Sequence, residues 1–218
     1  MRDDRQRLRR GAITGLLAIV FTLAAAAASG AALITVGGLG AAARISYPQP
    51  VDTAFWLTLR KGGTPAQIRE RGLVRLIRLR GCARPGTSGE VPLTQIHFQT
   101  LAPGSGDTAT VKITTGPLNV PICGQGASSS TVTAFNPGNL CVLKGDYVAF
   151  NVEGGGGPGF PQGVRYEVFG PASGAVTDSF TSAGGTNNGD TLTGTAHTGV
   201  RLLMALVIGS GHDAGICG

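Results

Sequence analysis

Three histidines, four cysteines and a thin scatter of carboxylates carry the chemistry available to this chain, so their spacing decides what is possible. Cys82, Cys123, Cys141 and Cys217 contain no C-x-x-C pair, and their spacing to His97, His197 and His212 fits no zinc pattern. No metal and no cofactor is expected. Gly209-Ser210-Gly211-His212-Asp213 holds a nucleophile, a base and an acid, but neighbouring side chains diverge and cannot form a triad by adjacency. Glu153 and Glu167 would need to face each other across a cleft to cleave a glycoside, and as strand residues they read as solvated. Asn187-Asn188-Gly189-Asp190, with Asp178 upstream, offers oxygen ligands but lacks the D-x-D-x-D-G order of a calcium loop. Lys144-Gly145-Asp146 reads as a tight turn before a strand rather than an adhesion tripeptide. No catalytic residue is expected, and the chain reads as a non-enzyme.

The cysteines point to a compartment instead. An even number in an exported chain reads as two disulfides, for which three pairings are possible. The expected pairing is Cys123–Cys141, across a Gly/Ser-rich turn, with Cys82–Cys217 tying the start of the domain to its end. Export is argued from the N-terminus. Arg2, Arg5, Arg7, Arg9 and Arg10 precede an uncharged run from Gly11 to Ala43, most apolar from Ile13 to Ala28. That is the plan of a secretory signal with small residues for cleavage after Ala28, Ala32 or Ala43, the last in A-x-A form. Residues 11–32 are also long enough to stay in the membrane as a helical anchor. The expected location is therefore extracytoplasmic, either secreted or anchored at the cell surface.

Charge is unevenly spread. Residues 44–84 hold nine basic and two acidic groups, whereas residues 85–218 hold four basic and eight acidic ones. A basic juxtamembrane segment followed by a mildly acidic body fits export better than nucleic-acid binding, and basic stripes interleaved with aromatics are absent. Arg71, Arg75, Arg78, Arg80 and Arg84 would attract an anionic lipid or wall polymer, or protect an edge strand by charge.

These features divide the chain into a signal or anchor (1–43), a linker (44–81) and a β-domain (82–218). The linker is expected to hold a short strand over Ala54–Leu59, with Trp56, and a short helix opened by Thr64-Pro65-Ala66-Gln67 and closed by Gly72. Leu73–Arg80 reads as a strand entering the domain. Beyond it, period-2 runs recur between turn clusters: Ile96 and Phe98, Val111 and Ile113, Thr131–Phe135, Val148, Phe150 and Val152, then Val164, Tyr166 and Val168, and Val176–Phe180. Leu202–Ile208 is apolar throughout and predicts a central strand. Glycine, at 36 of 218 residues without a G-X-Y period, supplies turns and excludes collagen. The fold class is all-β: an antiparallel sandwich of Greek-key or jelly-roll type behind one hydrophobic helix.

The segment Cys141-Val142-Leu143-Lys144-Gly145-Asp146-Tyr147-Val148-Ala149-Phe150 resembles secreted bacterial jelly-roll and carbohydrate-binding-like sandwiches, in which an apolar pair, a Gly-Asp turn and an alternating strand follow one another. The resemblance covers about ten residues and implies no activity and no binding residue. From the residues themselves, Tyr147 and Asn151 share the face opposite Val148 and Phe150. Tyr147, Tyr166 and Trp56 are the candidates for stacking on sugar rings, with Asn151 as the polar residue beside Tyr147. The expected function is a structural or interaction role at the cell surface. The alternatives are a module that binds cell-wall glycan or another wall polymer, and a small secreted hydrolase.

Overall fold

The computed structural model describes residues 33–211 and 215–217. The expected hydrophobic helix with its membrane-spanning residues 11–32 lies outside the described residues, as do His212 and Asp213. In chain order the strands are β1 (Leu33–Gly37), β2 (Ile45–Gln49), β3 (Asp52–Leu59), β4 (Gly72–Arg80) and β5 (Cys82–Ala83). They continue with β6 (Gln95–Pro103), β7 (Thr108–Thr114), β8 (Leu118–Asn119), β9 (Val132–Phe135) and β10 (Cys141–Val142). The last are β11 (Tyr147–Val152), β12 (Val164–Ser182), β13 (Thr191–Thr193), β14 (Thr195–Leu202) and β15 (Met204–Gly209).

Two antiparallel sheets result. The small one runs β1-β15-β4-β10, with β9 also on β4. The large one runs β13-β7-β6-β11-β3-β12-β14, with β2 and β5 on β12 and β8 on β6, and curls into a half-barrel. The apolar run before Gly209 becomes β15, central between β1 and β4 as its composition requires. Period-2 patterning sets the inner faces. Val74, Ile77, Leu79, Leu206 and Ile208 of the small sheet close on Phe55, Ile96, Phe98, Phe150 and Val152 of the large one. A bulge between Val207 and Ile208 keeps β4 in phase around Arg75, so Val74 and Ile77 both point inward. The chain crosses from small to large sheet at Gly81, whose φ is +125°. A Cβ there would sit 1.8 Å from the Glu167 carbonyl, so only glycine fits the crossing.

Residues 44–81 are not the expected linker of one strand and one helix. They supply β2, β3 and β4, one to the small sheet and two to the large. The expected helix after Thr64 is absent because its backbone donors bond elsewhere. The Ala66 N–H donates to the Thr58 carbonyl and the Ile68 N–H to that of Asp146. Both are long-range partners, and they replace the helical i→i−4 pattern. Residues 33–43, placed in the leader by composition, carry β1 and the buried Ala43, whose N–H donates to Ser129. Cleavage after Ala43 would remove β1 from β15.

The disulfides are Cys82–Cys123 and Cys141–Cys217, which corrects the expected pairing. Strand register explains why. An isolated bridge sets Ala83 beside Ile122, which brings Cys82 to Cys123. Gly209 of β15 and Cys141 of β10 both pair with Leu73, so the chain leaving β15 returns to Cys141. Closing spans of 41 and 76 residues, each bond contributes roughly 4 kcal/mol in the chain-entropy picture. Two such bonds fit an oxidising, extracytoplasmic environment.

Candidate functional site

The outward face of the large sheet is not solvated, because the half-barrel curls over it. Ala54, Trp56, Leu101, Ala109, Val111, Ala149 and Leu192 fill it as a second core. At one end this core opens into a cavity of about 450 Å³ that holds the strongest cluster of functional groups among the described residues. Tyr147, the first residue of β11, forms one wall. Asp178 comes from the middle of β12, where register places it beside Trp56 of β3 and Ala196 of β14. Asp107 is held on the β6–β7 turn, whose ends are fixed by the Gly104 N–H donating to Thr108. Gln67 reaches in from the non-helical segment after Leu59. Gly194 packs behind Trp56 and Asp178, where a Cβ would lie 3.0 Å from both Trp56 Cζ2 and Asp178 Cβ.

The electrostatics of this cluster are tuned. Burial, and secondarily the charge of Asp107, pushes the Asp178 carboxyl up to about 6. The Tyr147 hydroxyl is raised by burial and by Asp178, against a hydrogen bond from Gln67 that works the other way. The cavity therefore combines an aromatic wall, an amide and two carboxyl groups, of which Asp178, raised to about 6, can both donate and accept near neutral pH. Such a set can ring a polyhydroxylated ligand with hydrogen bonds, or move a proton.

Of the sequence-predicted binding residues, Tyr147 and Trp56 line the cavity, and Asn151 and Tyr166 do not. Asn151 is buried, donating to Asp52 Oδ1 at 3.0 Å and to Thr186 Oγ1 at 2.9 Å. Gln99 joins the same network through Thr186. Tyr166 is a core residue, its ring edge-on to Phe150 and its hydroxyl donating to the Leu93 carbonyl at 2.9 Å. It shares the phase of Val164 and Val168, a signal in the sequence that places it inward. Trp56 is 1% exposed and offers the cavity an edge, not a stacking face. Asp107 and Gln67 were missed because both sit on irregular segments that no periodicity marks.

The other candidates disperse. Glu153 accepts from Gln95 and faces His97 at 3.3 Å, while Glu167 pairs with Arg84 at 3.3 Å, so they are not a catalytic pair. His97 is half-buried, with Nδ1 2.8 Å from the Thr115 carbonyl. His197 lies on β14 rather than in a loop. Its Nε2 is 2.8 Å from Ser179 Oγ and its ring packs on Tyr47 at 4.6 Å. Burial lowers its pKa, and no carboxylate among the described residues orients it for general-base work. Asp146 is buried, accepting from Lys112 Nζ at 2.8 Å and the Leu143 N–H at 2.7 Å, so Lys144-Gly145-Asp146 is a turn with no carboxylate to present. Asp190 accepts from the Asn187 N–H within its own turn, and no cluster of three metal-ligating side chains occurs among the described residues.

The arginine cluster also separates. Arg84 binds Glu167, and Arg80 donates to the Ser130 carbonyl at 2.8 Å. Arg75 and Arg78 are exposed on β4. Glycine and proline make up half the lining of a larger depression of about 660 Å³ beside Cys123, and its Arg84 and Arg165 are already bonded to Glu167 and Gln162. Compared with known proteins, the chain matches no family model, no curated protein and no solved structure.

Proposed function

We propose that the protein is an exported β-sandwich with an interaction role at the cell surface, and that the Tyr147 cavity takes a polyhydroxylated ligand such as a cell-wall glycan. The carrying observation is the convergence of Tyr147, Gln67, Asp107 and Asp178 in one cavity of about 450 Å³, which Trp56 and Ala196 also line. Sugars are bound by an aromatic surface for their C–H faces and by carboxylate and amide groups for their hydroxyls, which is the set present here. A cavity of that volume suits one or two sugar rings, not a long chain laid in a groove.

Titration of the disulfide-intact protein with soluble cell-wall oligosaccharides, followed by calorimetry, tests this reading. Binding is expected to weaken about tenfold in Tyr147→Ala, roughly 1.4 kcal/mol, and less in Gln67→Ala. Binding that is unchanged in both variants would move the ligand elsewhere. The raised Asp178 beside Asp107 supports a second reading, a small hydrolase acting through a carboxyl pair. Release of reducing ends during the same titrations, lost in Asp178→Asn, would select it.

A further inference from the structure

The lower end of the small sheet is where the described chain begins. Strand register runs Leu33–Gly209–Leu73–Cys141 across it, and the Cys141–Cys217 disulfide brings Ile216 to the same place. Three large apolar side chains stand exposed there: Leu33 at 66%, Leu143 at 41% and Ile216 at 60%. Cations surround them. Arg71 precedes β4, Lys144 follows β10, and Arg69 shares a surface depression with Lys144 and Gly145. A second depression joins Arg69 and Arg60 to Ile34 on β1. Proximity of Arg60 and Arg69 is independently visible, because burial and then the charge of Arg69 lower the Arg60 pKa. Of the acids nearby, Glu70 is exposed and Asp146 is turned inward onto Lys112.

Exposed apolar groups ringed by lysine and arginine are what an interfacial membrane contact requires. The apolar groups reach the acyl boundary while the cations meet phosphate. The chain supplies the second argument. Gly11–Ala32 is uncharged for 22 residues and ends directly at Leu33, the first residue of β1. No spacer separates that run from the sheet.

We propose that this end of the sandwich lies against an anionic phospholipid surface, with Leu33, Leu143 and Ile216 at the interface and Arg69, Arg71 and Lys144 on the headgroup phosphates. The footprint differs from the arginine cluster read along the sequence. It is assembled from four places in the chain, and Arg80 and Arg84 are not in it.

Hydrogen exchange of the full chain in nanodiscs tests the contact. Backbone amides of residues 61–70 and 143–146 should exchange severalfold more slowly in phosphatidylglycerol discs than in phosphatidylcholine discs. The loop with exposed Val91 and Leu93, which carries no such cations, serves as the internal reference. The double variant Arg69→Glu/Lys144→Glu should lose the difference at unchanged Tm, and Tyr147→Ala should keep it. Equal exchange in both lipids would overturn the proposal. So would equal protection by soluble polyphosphate, which assigns the cations to a polymer. If the leader is cleaved and the chain leaves the discs, failure of the released species to float with phosphatidylglycerol vesicles would overturn it as well.

Discussion

On the face of the large sheet turned to the small sheet, Phe150 packs ring to ring with Phe98 and Tyr166, Phe55 packs on Phe169, and all belong to one core with the aliphatic residues of β4 and β15. On the opposite face of the same strands stand Ala54, Ala109 and Ala149, with Trp56 as the fully buried ring and Tyr147 and Phe180 packed against this cluster. Both faces are buried, but by different means. The first is filled by bulk from two layers. The second is closed by curvature, because alanine leaves room for β7 and β13 to fold over and for Trp56 to lie across the space. What curvature leaves unfilled at the end is the cavity of Tyr147 and Asp178. The bulk-filled core leaves a pocket of only about 30 Å³, lined by Val36, Ile68, Val148 and Leu206, so the candidate site belongs to the curled side.

Breaking the bulk-filled face should cost most. Phe150 is fully buried, touching Phe98 and Tyr166 at ring separations of 6.3 and 6.0 Å. Phe150→Ala should lower unfolding stability by about 3–5 kcal/mol in urea titrations. A cost near zero would mean that the two sheets do not pack as described.

The contrast between the faces also explains how much was legible beforehand. Alternation along β6, β11 and β12 gave the inward set Ile96, Phe98, Val148, Phe150, Val152 and Val168. The same alternation assigned Tyr147, Ala149 and Asn151 to the other face, correctly as a face but wrongly as a solvated one. Period 2 distinguishes two sides of a strand and cannot say which of them a distant segment covers. Asn151 is buried because residue 186, 35 positions on, folds back onto it. The helix expected after Thr64 failed for a similar reason, since local capping signals were outweighed by hydrogen bonds to β3 and to the turn before β11. The cysteine count identified two disulfides, but their pairing depends on the register of β15 on β4, which sequence separation does not encode.

Ala149→Leu probes the curved face directly. Ala149 pairs with Trp56 in register and is fully buried, so the added carbons have no space unless the sheet opens. The expected cost is about 1–3 kcal/mol, smaller than for Phe150→Ala because overpacking is relieved by small shifts. The readout is again urea unfolding, joined by Trp fluorescence, which should move to longer wavelength as Trp56 gains water. A neutral substitution with unchanged emission would show that the concave side is open and the second core is not closed.

The smallest effect concerns the cavity itself and carries a sign. The Asp178 carboxyl is raised from its ordinary 3.8 to about 6 by burial first and by Asp107 second. The folded state therefore holds the proton more tightly than the unfolded chain. Its stabilising contribution is full below 3.8 and is lost as pH climbs toward about 6. Above that range the folded protein carries the cost of an ionised carboxylate in a confined site. Asp178→Asn removes that cost, so the variant should exceed the parent by about 1 kcal/mol near neutral pH, the full shift being discounted for water in the open cavity. The advantage should vanish in acid. Urea unfolding on both sides of the interval checks it. A difference that does not change with pH would mean that the Asp178 carboxyl is not raised by its burial or by Asp107, and the cavity would then be a polar recess rather than a tuned site.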